Sequence, residues 1–155
     1  IVTSNRLLVA PGTGVTSFGS SVAGAGDVNG DGYGDIIIGA PTMSNGQSGE
    51  GRVYVYFGGG SGGAASTPWT WEPNVADYAA GSAVAGGGDL NGDGFADILV
   101  GAPASATILG GVAYVFFGSA GGLPAAPSFT RNGTTKCPKS SASETPSQPP
   151  CQRTR

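Results

Sequence analysis

The sequence predicts an all-β fold made of two four-stranded units of the β-propeller type. Three observations carry that prediction. Thirty glycines and eleven prolines in 155 residues demand many tight turns and leave little room for long helices. No window shows apolar residues sustained at helical spacing, while several short β-branched and aromatic runs stand between glycine-rich turns. The third observation is an internal repeat. Residues 18–42 laid over 80–104, an offset of 62, agree at 16 of 25 positions. Further on, Arg52-Val-Tyr-Val-Tyr-Phe-Gly58 matches Val112-Ala-Tyr-Val-Phe-Phe-Gly118 at an offset of 60.

Each copy reads as four strands. Ser20–Gly26 is rich in small residues around Val22, and Asp35–Gly39 is a continuous apolar run suited to a strand covered on both faces. Val53–Phe57 is β-branched and aromatic, and Thr67–Glu72 alternates Trp69 and Trp71 with polar residues. The second copy supplies Ser82–Gly88, Asp97–Gly101, Ala113–Phe117 and Ala126–Arg131. Four strands in about sixty residues make one propeller blade, and the small residues of the first strand suit the crowded inner end of such a blade. The chain therefore divides into a leading strand of a partial blade in 1–17 (Arg6–Ala10), one blade in 18–79, a second in 80–131, and a Ser/Pro/Thr/Lys-rich tail in 132–155 predicted to be disordered.

Charge narrows the partners. Residues 1–130 hold nine acids and two bases, Arg6 and Arg52, for a net of −7, whereas residues 131–155 hold five bases and one acid. An acidic body speaks against a nucleic-acid-binding face and for cations. No run of eighteen apolar residues is present, so no membrane span is expected. The chain begins at Ile1 without a charged-then-apolar leader, as after removal of a signal segment or in a fragment. Cys137 and Cys151 could close one loop in the tail or stay unpaired, and Asn132-Gly-Thr134 fits the N-glycosylation pattern.

Six of the nine acids of the body sit in two short loops, Asp27-Val-Asn-Gly-Asp-Gly-Tyr-Gly-Asp35 and Asp89-Leu-Asn-Gly-Asp-Gly-Phe-Ala-Asp97. Hard oxygen donors at alternate positions of a tightly turning loop are what a calcium ion needs, since it takes ~6–8 oxygens at ~2.3–2.6 Å. The candidate donors are the side chains of Asp27, Asn29, Asp31 and Asp35 with the carbonyl of Tyr33, then those of Asp89, Asn91, Asp93 and Asp97 with the carbonyl of Phe95. Without a cation, carboxylates so close together repel and tend to hold protons. An Asp/Asn/Gly turn that merely joins two strands is the simpler alternative, but two copies retaining all four side-chain donors argue against it. Magnesium prefers water-rich octahedral sites, and zinc finds no histidine here. Helix-loop-helix calcium sites need an acid at the twelfth position, which is Ile38 or Val100 in these loops. The expectation is two Ca²⁺ per chain.

With Phe18-Gly19, the Asp-x-Asn-x-Asp-Gly-x-x-Asp loop and Gly39-Ala40-Pro41 on the page, the sequence resembles the FG-GAP repeat family, the blades of integrin α-subunit propellers and of many secreted or surface proteins. The second copy keeps Gly101-Ala102-Pro103 but has Ala80-Gly81 in place of Phe-Gly. The resemblance covers about residues 18–130 and implies a β-propeller architecture, calcium in the loop between a blade's first and second strands, an extracellular or cell-surface setting, and a part in adhesion or recognition.

Propellers close with ~4–8 blades, so two need neighbours. The expected partners are further copies of the chain or the remaining blades of a longer parent protein, together with a protein or glycan ligand. The aromatic strands around Tyr54, Phe57, Tyr114 and Phe117 are expected to lie open until covered. Trp69, Trp71 and Tyr78 could form a sugar- or partner-binding surface or serve as blade packing. With no histidine and no acid pair outside the loops, acid–base and triad chemistry lack their players, so no enzyme activity is expected. Two further functions fit the same residues: a structural subunit of a self-assembling ring or fibre, and a non-catalytic part of a larger secreted hydrolase.

Overall fold

The computed structural model of the chain describes residues 17–60, 67–103 and 110–133. Eight strands follow in order: β1 (Ser21–Gly26), β2 (Asp35–Ala40), β3 (Arg52–Tyr56), β4 (Trp69–Trp71), β5 (Ala83–Gly88), β6 (Asp97–Ala102), β7 (Val112–Phe116) and β8 (Phe129–Asn132). They form two four-stranded antiparallel meanders, β1-β2-β3-β4 and β5-β6-β7-β8. Among the described residues no helix is long and apolar enough to cross a membrane. The expected leading strand Arg6–Ala10, the Cys137 and Cys151 pair, and the tail beyond Gly133 lie outside the described residues. β8 runs through Asn132, which pairs with Val112, so the strand extends one residue past the boundary expected at 131.

The two registers are the same. Ile37 pairs with Val55 and Leu99 with Val115; Val55 pairs with Trp69 and Val115 with Phe129; Val53 pairs with Trp71 and Ala113 with Arg131. Strand alternation therefore gives each blade two faces with corresponding residues. The front face of the first blade carries Ala23, Ala25, Ile37, Val53, Val55, Trp69 and Trp71. It lies against the rear face of the second, with Ile98, Val100, Tyr114 and Phe116. One apolar core fills the seam between them. Trp71 meets Tyr114 at 4.7 Å between centroids and Phe116 at 5.1 Å, and Trp69 meets Phe116 edge-on at 5.2 Å. The two tryptophans thus serve blade packing.

The small residues of the inner strands have a visible use. β1 lies directly on β5, and Ser21 donates its hydroxyl to the Gly81 carbonyl at 2.6 Å across the seam. A Cβ on Gly86 would collide with the backbone of Gly24 and Ala25, so only glycine permits this approach.

The aromatic strands are not open to water as expected. Tyr54 is fully buried, with Phe18 edge-on at 5.2 Å and Met43 in the same cluster, while Trp71 covers Tyr114. The departure from Phe-Gly in the second copy fits this arrangement. Phe18 packs over Tyr54 from its own blade, whereas its counterpart Ala80 is buried in the seam, where Trp71 of the first blade covers Tyr114.

Candidate metal centre

Each acidic loop leaves its inner strand through a register shift, between Gly24 and Gly26 in the first blade and between Gly86 and Gly88 in the second. A bulge of this kind re-aims the chain, and here it delivers Asp27 and Asp89 to the loop's start. Glycines at φ +75° and +86° (Gly30, Gly32) and at +77° and +93° (Gly92, Gly94) turn the loop back, a conformation L side chains avoid.

The first Asp organises the turn. Asp27 Oδ1 accepts the backbone N–H of Gly30 at 2.7 Å and of Asp31 at 3.1 Å, and Oδ2 accepts that of Gly32 at 2.8 Å. Asn29 Oδ1 accepts from Asp31 N at 3.1 Å, Asp31 Oδ1 from Tyr33 N at 2.9 Å, and Asp31 Oδ2 from Asn29 Nδ2 at 3.0 Å. The second loop repeats every one of these bonds with Asp89, Asn91, Asp93 and Phe95, at 2.7, 3.0, 2.9, 3.1, 3.0 and 2.8 Å. The N–H groups of Gly94, Gly92 and Asp93 hold the Asp89 carboxyl below the usual carboxylate range against a smaller desolvation effect, so it is ionised at neutral pH.

The ninth-position acids behave differently from the other three donors. Asp35 and Asp97 are 2% and 0% exposed, and both oxygens of each are engaged by backbone. Asp35 accepts from Val28 N at 2.9 Å and Gly58 N at 2.8 Å; Asp97 accepts from Leu90 N at 2.6 Å and Gly118 N at 3.0 Å. Burial pushes the Asp35 carboxyl up, the two N–H groups oppose that, and the charges of Asp31 and Asp27 add to the rise. Asp35 and Asp97 therefore tie the loop to the end of the third strand. Gly58 and Gly118 were not singled out in the sequence, although their matching place after the third strand of each copy was a usable signal.

Chemically the donor set suits a hard cation: oxygen only, two carboxylates and an amide per loop at the surface, and a third carboxylate beneath. Asp27 and Asn29 are half-buried, whereas Asp31 and the three equivalents in the second loop are exposed. Each carboxylate has its own N–H partners, and among the described residues no three Asp, Glu, His or Cys side chains converge as a metal-holding group. Asp27 Oδ1 and Asp89 Oδ1 each accept two N–H groups, whereas the other oxygens named here accept one and keep a further lone pair.

Outside the loops Glu50 and Glu72 share one partner, Asn45. Asn45 donates its backbone N–H to Glu50 Oε1 and its side-chain amide to Glu72 Oε1, each at 2.7 Å. Glu72 is ion-paired with Arg52, whose Nε donates to it at 2.7 Å. Burial alone would lower the Arg52 pKa, but the Glu72 hydrogen bond and charge raise it overall. These bonds fasten the loop at Asn45 to the third strand and to the end of the fourth.

Comparison with known proteins agrees with this geometry. The FG-GAP repeat model matches residues 18–56 and 80–116, so each match runs from the residue before Gly19 or Gly81 to the end of a blade's third strand. Integrin alpha-4 of Xenopus laevis is 40% identical over 117 residues, covering 74% of this chain. Integrin alpha-5 of Xenopus laevis is 41% identical over 117 residues and integrin alpha-V of Gallus gallus 41% over 116, each covering 72% of this chain. The chain spans 11% of the length of each of these three relatives. Two matched repeats, two loops with the same donors and two blades in the same register lead to one conclusion: the chain belongs to the FG-GAP repeat family.

Proposed function

We propose that the chain is a calcium-binding, non-catalytic module of β-propeller type that acts in adhesion, recognition or surface assembly outside the cell. Each loop would take one Ca²⁺ through Asp27, Asn29, Asp31, Asp35 and the Tyr33 carbonyl, or through Asp89, Asn91, Asp93, Asp97 and the Phe95 carbonyl. The observation that carries this is the doubling of the loop. Two nine-residue frames keep the same donors and the same hydrogen bonds, the widest difference being 2.9 Å against 2.6 Å for the bond to the ninth-position Asp. A plain turn needs no such fidelity at four acidic or amide positions. Bound calcium would supply positive charge that offsets the repulsion among three carboxylates per loop.

Integrin-type relatives support an adhesion role and an extracellular setting, and they make further blades and a protein or glycan ligand the natural partners. The test is thermal unfolding of the chain in calcium and in chelator. Ions that bind only the native state add RT ln(1 + [L]/Kd), about 2.7 kcal/mol per site at a hundredfold excess over Kd. The melting temperature should rise in calcium, with a smaller rise in Asp31→Ala and in Asp93→Ala. Equal melting in both conditions would show that the loops are turns and nothing more.

A further inference from the structure

The seam joins the two acidic loops directly, through the end of the second loop. Ala96 donates its N–H to the Asp27 carbonyl at 2.9 Å. Its methyl stands beside Gly26, so that a Cβ there would lie 2.5 Å from it, and the Phe95 ring stands as near to Gly30. Among the described residues Gly34, the equivalent of Ala96 in the first blade, makes no such bond. The Ala96 N–H belongs to the same peptide group as the Phe95 carbonyl, a candidate donor of the second loop. That group is planar, and in its trans form the C=O and N–H point in opposite directions. Whatever fixes one end of it therefore orients the other.

A second line joins the two ninth-position acids. Asp97 accepts from Gly118 N at 3.0 Å, and the next N–H along the chain, that of Ser119, donates to the Val28 carbonyl at 3.0 Å. Val28 N then donates to Asp35 at 2.9 Å. Asp97, Val28 and Asp35 are all buried, so these bonds lie out of water, where linked hydrogen bonds polarise one another. Gly118 marks the crossing. A Cβ on it would collide with the carbonyl oxygens of Ala96 and Val28, whereas one on Gly58 would meet only its own loop, at Tyr33 and Gly34.

We infer that the two loops are positively coupled across the seam, so that calcium held by either raises the affinity of the other. The inference rests on the calcium proposal above and adds its regulation. Its basis is shared ordering. The Phe95–Ala96 peptide and the Gly118–Ser119 segment touch both loops, so fixing them for one ion lowers the ordering cost of the next. Polarisation acts in the same direction, because a cation at the Phe95 carbonyl makes the Ala96 N–H a stronger donor to Asp27. By linkage the factor is the same whichever loop fills first.

The test is calcium titration of the stripped full chain by calorimetry, at a temperature where the calcium-free protein is folded. Asp93→Asn leaves the first loop to bind alone and Asp31→Asn the second. The product of the two stepwise association constants of the wild type should exceed the product of the two single-site constants by at least about fivefold. Asp93→Ala and Asp31→Ala repeat the measurement if an asparagine variant still binds at both loops. Amide hydrogen exchange gives the local readout. Loading only the second loop, in Asp31→Asn, should slow exchange of the Ala96 and Ser119 N–H groups, and loading only the first, in Asp93→Asn, should slow the same two. Equal products, with one ion bound by each variant, would overturn the inference and leave the calcium proposal standing. Exchange unchanged at both amides would do the same. A folded chain that binds no calcium would overturn both.

Discussion

Val28 and Leu90 hold the same position in the repeated loop, yet Val28 is fully buried and Leu90 is 53% exposed. The difference comes from the neighbour, since the local hydrogen bonds are the same in both loops. The second blade reaches across to the first loop, where Ala96 N donates to the Asp27 carbonyl at 2.9 Å and Ser119 N to that of Val28 at 3.0 Å. Among the described residues nothing does the same for Asp89 or Leu90. A blade of this repeat is locally complete in its turn but finished only by the next blade. That next blade covers the front face and also braces the loop backbone.

Substitutions at corresponding positions of the two blades should separate them. Trp71→Ala removes the ring packed on Tyr114 and Phe116 and should cost about 3 kcal/mol, while Arg131→Ala, its register equivalent, should stay within about 0.5 kcal/mol. Equal losses in chemical denaturation would show that the seam is not the principal core.

Asp35→Ala and Asp97→Ala each orphan two backbone N–H groups, and each should cost about 3 kcal/mol. Here the two blades should respond alike, because this brace lies within a blade. A large loss in one and none in the other would contradict that.

A pH effect follows from the seam as well. Burial, with the charge of Tyr78 adding to it, pushes the Tyr114 phenol from 10.0 up to about 12. A phenol raised in the fold contributes stability that is whole below the unfolded pKa and is lost as pH climbs through the folded one. Stability should therefore fall between pH 10 and about 12, by a few kcal/mol at most, on the order of one per unit. Ultraviolet titration of tyrosinate checks it: Trp71→Ala should bring one tyrosine's titration down toward 10. The smallest contrast is in the loops, where Val28→Ala should cost about 1 to 2 kcal/mol and Leu90→Ala about 0.3 kcal/mol.

Much of this was legible in the sequence because the repeat states each feature twice. The first three strands of each blade lie within a residue or so of where the β-branched and small-residue runs place them, while the fourth is shorter than expected, Trp69–Trp71 in one blade and Phe129–Asn132 in the other, and Gly19/Gly81 with the Asp-x-Asn-Gly-Asp-Gly frame marks the period. What was not legible depends on contacts across the seam. Val28 and Leu90 look equivalent in one dimension, and only docking separates them. Nor does composition show that Asp35 and Asp97 spend both oxygens on backbone N–H groups, because Gly58 and Gly118 lie more than twenty residues further on. The burial of Tyr54 under Phe18 likewise needs the fold: the two are far apart in sequence and meet only when β3 lies behind the first turn.

Calorimetric titration of the calcium-stripped chain reads the occupancy of the two loops. Two ions should bind per chain, the tighter at the first loop, whose backbone the neighbouring blade already holds in place. Asp31→Ala should remove the tighter event and Asp93→Ala the weaker. Folded protein that binds fewer than two ions would contradict the account.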